Sequence, residues 1–176
     1  MKRIIALLLC VGMFAAVAAG CGGGQQLTAT GDEATNKSAA AYKDTYADLL
    51  TYLSAWGYIN PLEANKGKSY TEMKAELIGA KQGRRFTAQH TKDTTIEIYE
   101  YDPSNLNATA DEVIGSVKAN GTFQNLFNDE VENVYLSKSG KYMMVYTDKT
   151  INKDTAEDSD NYKAREEVIE KFLAFH

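Results

Sequence analysis

Arg85-Phe-Thr-Ala-Gln89 and Thr95-Ile-Glu-Ile-Tyr-Glu-Tyr101 are the two segments whose reading decides the fold. Ile96, Ile98, Tyr99 and Tyr101 are β-branched or aromatic and favour a pleated backbone. The polar residues around Lys92-Asp93 between the segments predict a hairpin. A second hairpin is predicted where Val131 to Leu136 and Tyr142 to Thr147 flank Lys138-Ser139-Gly140, with glycine free to take a positive φ. Asp102-Pro103-Ser104-Asn105 is a turn signal.

Helical signals surround the strands. Tyr42, Tyr46, Leu49, Leu50 and Leu53 recur at i, i+4, i+7, i+8 and i+11, predicting a helix from about Ser38 to Trp56-Gly57. Asn60-Pro61-Leu62-Glu63 places Asn, Pro and Glu at N-cap, N1 and N3 of a short turn that Gly67 ends. Ser69-Tyr70-Thr71-Glu72 predicts a helix with Met73, Leu77 and Ile78 inward, closed by Gly79 or Gly83. Thr109-Ala110-Asp111-Glu112 predicts another, with Val113, Ile114 and Val117 on one face, ended by Asn120-Gly121. A last helix from about Asn161 turns Val168, Ile169, Phe172 and Leu173 inward. The order predicts one α+β domain over 38–176, a mainly antiparallel sheet of about four strands in two hairpins with helices packed on one face.

The start of the chain has a separate chemistry. Lys2 and Arg3 precede the apolar run Ile4 to Ala19, the layout of a secretory signal. Val17-Ala-Ala-Gly-Cys21 resembles the lipobox of bacterial lipoproteins, with Ala18 where that family more often has Leu. The resemblance implies a diacylglyceryl group on the Cys21 thiol and cleavage just before it. Residues 1–20 are then a signal peptide, 21–37 a flexible tether, and the protein sits on the extracytoplasmic face of the cell membrane. Plain secretion and an uncleaved anchor are the alternatives. The apolar stretch is marginal for a span, which takes roughly 20 apolar residues. Two acyl chains anchor stably because burial contributes about 0.8 kcal/mol per CH₂. The tether's glycine-rich, polar composition gives a reach on the order of 25 Å.

Composition sets limits. The chain of 176 residues has net charge −5, and losing Lys2 and Arg3 with the signal takes it to −7. Such an acidic chain lacks the basic footprint of a general nucleic-acid binder. Cys10 leaves with the signal and Cys21 is the acylation site, so thiol catalysis, thiolate metal sites and disulfides are not expected.

No residue pattern points to catalysis, a cofactor or a metal. His90 lies near a hairpin tip, and His176, at the end of the chain, is expected to fray. No P-loop, Gly-x-Ser-x-Gly or His-Glu-x-x-His occurs. The acidic run Asp154, Glu157, Asp158 and Asp160 fails the calcium-loop test, since Lys163 and Ile169 fall where glycine and glutamate are required. It is read as a solvated loop before a helix N-terminus. Glu97, Glu100 and Asp102 lie close along one strand, Glu100 and Asp102 on one face and Glu97 on the other. Carboxylates such as Glu97 or Glu100 offer the alternative of a cell-envelope hydrolase, decided by whether two carboxyls face each other across a cleft. A receptor for an importer ranks lower, the folded part being short for two closing lobes.

Two candidate binding sets remain. Lys81, Arg84 and Arg85 form the one compact basic cluster, expected at a helix C-terminus and suited to an anion on a partner. Tyr99, Tyr101, Tyr135, Tyr142 and Tyr146 fall on predicted strands, Tyr99 sharing a side with Tyr101 and Tyr142 with Tyr146. A sheet face without helix cover would make these rings a binding platform; otherwise they are core.

A wider resemblance covers roughly residues 70–148. Glu76-Leu-Ile-Gly-Ala-Lys-Gln-Gly83, Thr95-Ile-Glu-Ile-Tyr-Glu-Tyr-Asp102 and Gly140-Lys-Tyr-Met-Met-Val-Tyr146 are similar to a run shared by small lipoproteins of Gram-positive bacteria. Those matches are mainly core and turn residues, so they imply fold and location and carry no activity. Asn120 to Glu132 is an insertion relative to that group. The expected function is a membrane-anchored, non-catalytic binding domain whose partner is a protein or another envelope ligand.

Overall fold

The computed structural model describes residues 37–60, 69–152 and 154–176. Cys21, the signal, all of the tether before Lys37, residue 153, and residues 61–68, where the short turn opening at Asn60-Pro61 was expected, lie outside them. Among the described residues three helices, α1 (Tyr46–Ala55), α2 (Ala108–Asn120) and α3 (Asp160–Ala174), accompany seven strands. These are β1 (Thr71–Glu72), β2 (Gln82–Thr87), β3 (Thr94–Glu100), β4 (Phe123–Gln124), β5 (Glu130–Val131), β6 (Val134–Leu136) and β7 (Tyr142–Asp148). The class is α+β. Five strands form one antiparallel sheet in the order β1-β2-β3-β7-β6, and β4 and β5 pair as a separate small ribbon.

Both expected hairpins are present, joined through the centre of the sheet. β3 pairs with β7 over its whole length, from Thr94↔Asp148 to Glu100↔Tyr142. Paired residues share a face. Ile96, Ile98, Tyr142, Met144 and Tyr146 therefore point one way, and Tyr99, Met143 and Val145 the other. All five residues of the run Tyr142–Tyr146 are buried. A strand apolar at every position is covered on both sides.

That run corrects the expectation of helices on one face. α1 and α3 pack Leu49, Leu50, Leu53, Val168, Ile169 and Phe172 against the Ile96/Ile98 face. α2 packs Ala110, Val113, Ile114 and Val117 against Tyr99, Met143 and Val145 on the other. The sheet also has five strands where about four were expected. Its rims are β1 and β6, of two and three residues.

Several boundaries move for local reasons. α1 starts at Tyr46, because the Thr45 side chain accepts a 3.1 Å hydrogen bond from the Asp48 amide and caps it there. Ser38 stands before a short 3₁₀ turn, Ala39–Ala41. Ser69 to Glu72 opens no helix: Thr71 and Glu72 pair with Arg85 and Arg84 of β2. A 3₁₀ turn, Ala75–Ile78, follows and leaves Leu77 exposed. Residues 131 to 136 are not one strand; Asn133, at φ 55°, breaks them into β5 and β6. Lys37, taken as the last residue of a loose tether, is docked. Trp56 Nε1 donates to its carbonyl at 3.1 Å, and the Lys37 ammonium lies 5.1 Å from the Trp56 ring centre.

The 3₁₀ turn is locked to α2. Gly79 takes φ +73°, and a Cβ there would collide with the Ala110 amide nitrogen and Asn107 Oδ1. Asn107 caps α2 by accepting from the Ala110 amide at 2.8 Å, while its Nδ2 donates to the Gly79 carbonyl at 3.4 Å. One asparagine thus caps the helix and fixes Leu77 and Ile78 beside it.

Candidate functional site

The tyrosines do not form an exposed platform. Tyr99, Tyr101, Tyr142 and Tyr146 are all buried, the first two in the core under α2 and the last two under α1 and α3. Tyr135 is half-buried and packs against the α1–α3 side. Both sheet faces carry helices, so the condition for a platform is not met. The hydroxyls are placed accordingly: Tyr99 donates to Glu97 Oε2 at 2.5 Å, Tyr101 to the Ile78 carbonyl at 3.3 Å and Tyr142 to Asp44 Oδ1 at 2.8 Å. The Tyr146 hydroxyl is buried with no hydrogen-bond partner among the described residues. Burial raises all five phenols above their ordinary value, Tyr146 to about 12.

The basic cluster is also dispersed. Arg84 and Arg85 sit in β2, not at a helix C-terminus, and point to opposite faces. The Arg84 guanidinium lies 4.4 Å from the Tyr70 ring centre and 5.7 Å from that of Tyr46. Arg85 is paired with Glu97 through Nε at 2.7 Å, and Lys81 lies 3.4 Å from Asp102. No shared anion site results.

Glu97 and Glu100 project from opposite faces of β3, as their pairings with Val145 and Tyr142 require. Glu97 is held by Arg85 and Tyr99, and Glu100 accepts from Gln82 Nε2 at 2.6 Å. The two carboxyls do not face each other across a cleft, which removes them as a catalytic pair. His90 is exposed on the β2–β3 connection. His176 does not fray: its Nε2 lies 2.9 Å from the Tyr42 carbonyl and its ring packs edge-on against Phe175. Among the described residues no cluster of His, Cys, Asp or Glu is arranged to hold a metal. None of their helices is long and apolar enough to cross a membrane.

The feature that sequence reasoning missed lies on the α2 side. A groove of about 480 Å³ runs between α2, the β4–β5 ribbon and the tip of the 3₁₀ turn. Val113 and Phe123 line it but are buried, and its accessible apolar surface comes from Leu77, Ile78 and Leu126. Large apolar side chains exposed among the described residues are Leu77, Leu126 at 63% and Phe127 at 82%, so all belong to this one region.

Leu126 and Phe127 are not on a loose loop. Asn125 Oδ1 accepts from the Phe127 amide at 2.8 Å and the Asp129 amide at 3.0 Å, and the Asn125 amide donates to the Asp129 carbonyl at 2.9 Å. Asn128 takes φ 60°, a left-handed conformation asparagine tolerates. Thr122 Oγ1 donates to Glu130 Oε1 at 2.9 Å and ties the ribbon's base. This hydrogen-bonded turn holds two apolar side chains out in water. The signal was present: in the sequence Leu126-Phe127 interrupts the polar residues Asn125, Asn128 and Asp129. A turn that needed only to connect strands would have no use for it.

No protein-family model, curated protein or solved structure matches the chain.

Proposed function

We propose that the chain is a lipid-anchored extracytoplasmic lipoprotein whose α+β domain works as a non-catalytic binding module. The observation that carries the binding reading is the turn Asn125–Asp129, which projects Leu126 and Phe127 beside an open groove. Exposed apolar groups gathered at one place on a soluble surface mark an interaction site more often than chance scatter. The anchoring part of the reading is supported by Val17 to Cys21 and by the basic-then-apolar start.

Two measurements test it. Cys21→Ala should release the protein from the membrane fraction, and mass spectrometry of the natural product should find the sulfur diacylated and residues 1–20 absent. Retention of the variant on membranes sinks the anchor. A photoreactive benzoylphenylalanine at Leu126 should yield a discrete adduct in intact cells, and one at exposed Lys163 should not. Equal labelling at both positions refutes the binding site.

A further inference from the structure

The groove's lining supports a narrower statement, which rests on the binding reading above. We propose that it takes an extended peptide segment of a partner protein, one carrying lysine or arginine next to a large apolar side chain.

The charge argument comes first. Glu112 of α2 and Glu130 of β5 both line the groove, and among the described residues no lysine or arginine does. Neither carboxylate is part of an ion pair among those residues. Two anions on a concave wall raise the local negative potential and attract a cation. The accessible apolar surface of Leu77, Ile78 and Leu126 accepts a side chain by burial. The amides and hydroxyls of the remaining wall, such as Asn120, Gln124 and Ser116, offer both donors and acceptors of the kind a peptide backbone needs. The volume falls within the range of sites that hold small ligands and short segments.

Other occupants fit less well. An anionic lipid surface would meet Glu112, Asp129 and Glu130 around the apolar tip, and nucleic acid would meet the same carboxylates. A second copy of this acidic chain brings like charge to like.

The test uses the full lipidated chain in phosphatidylcholine nanodiscs, with empty nanodiscs as the blank. Three labelled twelve-residue peptides are titrated by anisotropy: alternating lysine and leucine, alternating glutamate and leucine, and alternating lysine and serine. The lysine–leucine peptide should saturate and the other two should bind at least tenfold more weakly. Glu112→Gln with Glu130→Gln should weaken binding roughly two- to tenfold, as two exposed ion pairs would, and flatten its salt dependence. Leu126→Ser should weaken it about tenfold or more. Equal binding of the lysine and glutamate peptides, or no saturable binding, overturns the proposal. So does co-sedimentation with phosphatidylglycerol vesicles through Leu126 and Phe127 in place of peptide binding, which would assign the tip to lipid. A dimer abolished by Leu126→Ser, without peptide binding, would assign it to a second copy and also overturn the proposal. If the Leu126 photo-adduct forms in cells while the lysine–leucine peptide fails, the binding module stands and only this assignment falls.

Discussion

Raising the pH should unfold this domain abruptly near pH 11, because six of its tyrosines cannot ionise without leaving the core. Tyr46, Tyr58, Tyr99, Tyr101, Tyr142 and Tyr146 are each at most 7% exposed. Burial raises every one of their phenol pKa values, Tyr146 to about 12 and the others further. A group whose folded pKa is raised contributes stability that is fully present below the unfolded value, about 10 for tyrosine, and is lost as pH climbs towards the folded one. At pH 11 an unfolded ring gains a little over about 1 kcal/mol by ionising, so six gain about 8 kcal/mol together. Whole domains are stable by about 5–15 kcal/mol. Tyrosinate absorbance at 295 nm and far-UV circular dichroism should therefore change in one steep, coincident step. Tyr146→Phe removes a hydroxyl that has no hydrogen-bond partner among the described residues. It should leave stability at pH 7 unchanged or slightly higher and reduce the number of protons released on unfolding near pH 11 by about one. A gradual rise of absorbance around pH 10 to full amplitude, with the dichroism intact, would refute the reasoning.

Other outcomes follow from single contacts. Gly79→Ala forces a Cβ into the α2 cap at positive φ and should cost about 2 kcal/mol or more, read as a lowered melting temperature. Leu126→Ser and Phe127→Ser should change stability by less than about 0.5 kcal/mol, because both side chains already stand in water; a large loss would show that they are core. Burial works to raise the Asp148 pKa, but hydrogen bonds from the Thr150 side chain and amide and from Thr94 outweigh it and hold the carboxyl below its usual range. Its contribution is thus present above about pH 4 and fades as pH falls below that. Asp148→Asn should remove that share of the acid-induced loss in a denaturant series at pH 3–6.

The two hairpins were legible because Ile96, Ile98 and Tyr99 leave few conformations other than a strand, and because Gly140, at φ 69°, sits where the turn needs it. The helix stop at Gly121, at φ 73°, was legible for the same local reason. Residues 69–72 were not, since a serine three places before a glutamate looks alike in a helix start and in a rim strand. Pairing with Arg84 and Arg85 decided between them, and that pairing is distant in sequence. The late start assigned to β2 put those arginines on a helix end and made a cluster of residues that a strand splits. Tyr142–Tyr146 was the clue to cover on both faces, overlooked because hairpin strands usually alternate. The groove escaped for another reason: it is made by three segments, and only Leu126-Phe127 betrays it locally.

The sheet's outermost strands have a consequence for crowding. With two and three residues respectively, β1 and β6 present little unpaired backbone for a neighbour to extend. Molecules crowded side by side would meet without seeding one another into fibrils, so a dense population would stay made of separable units.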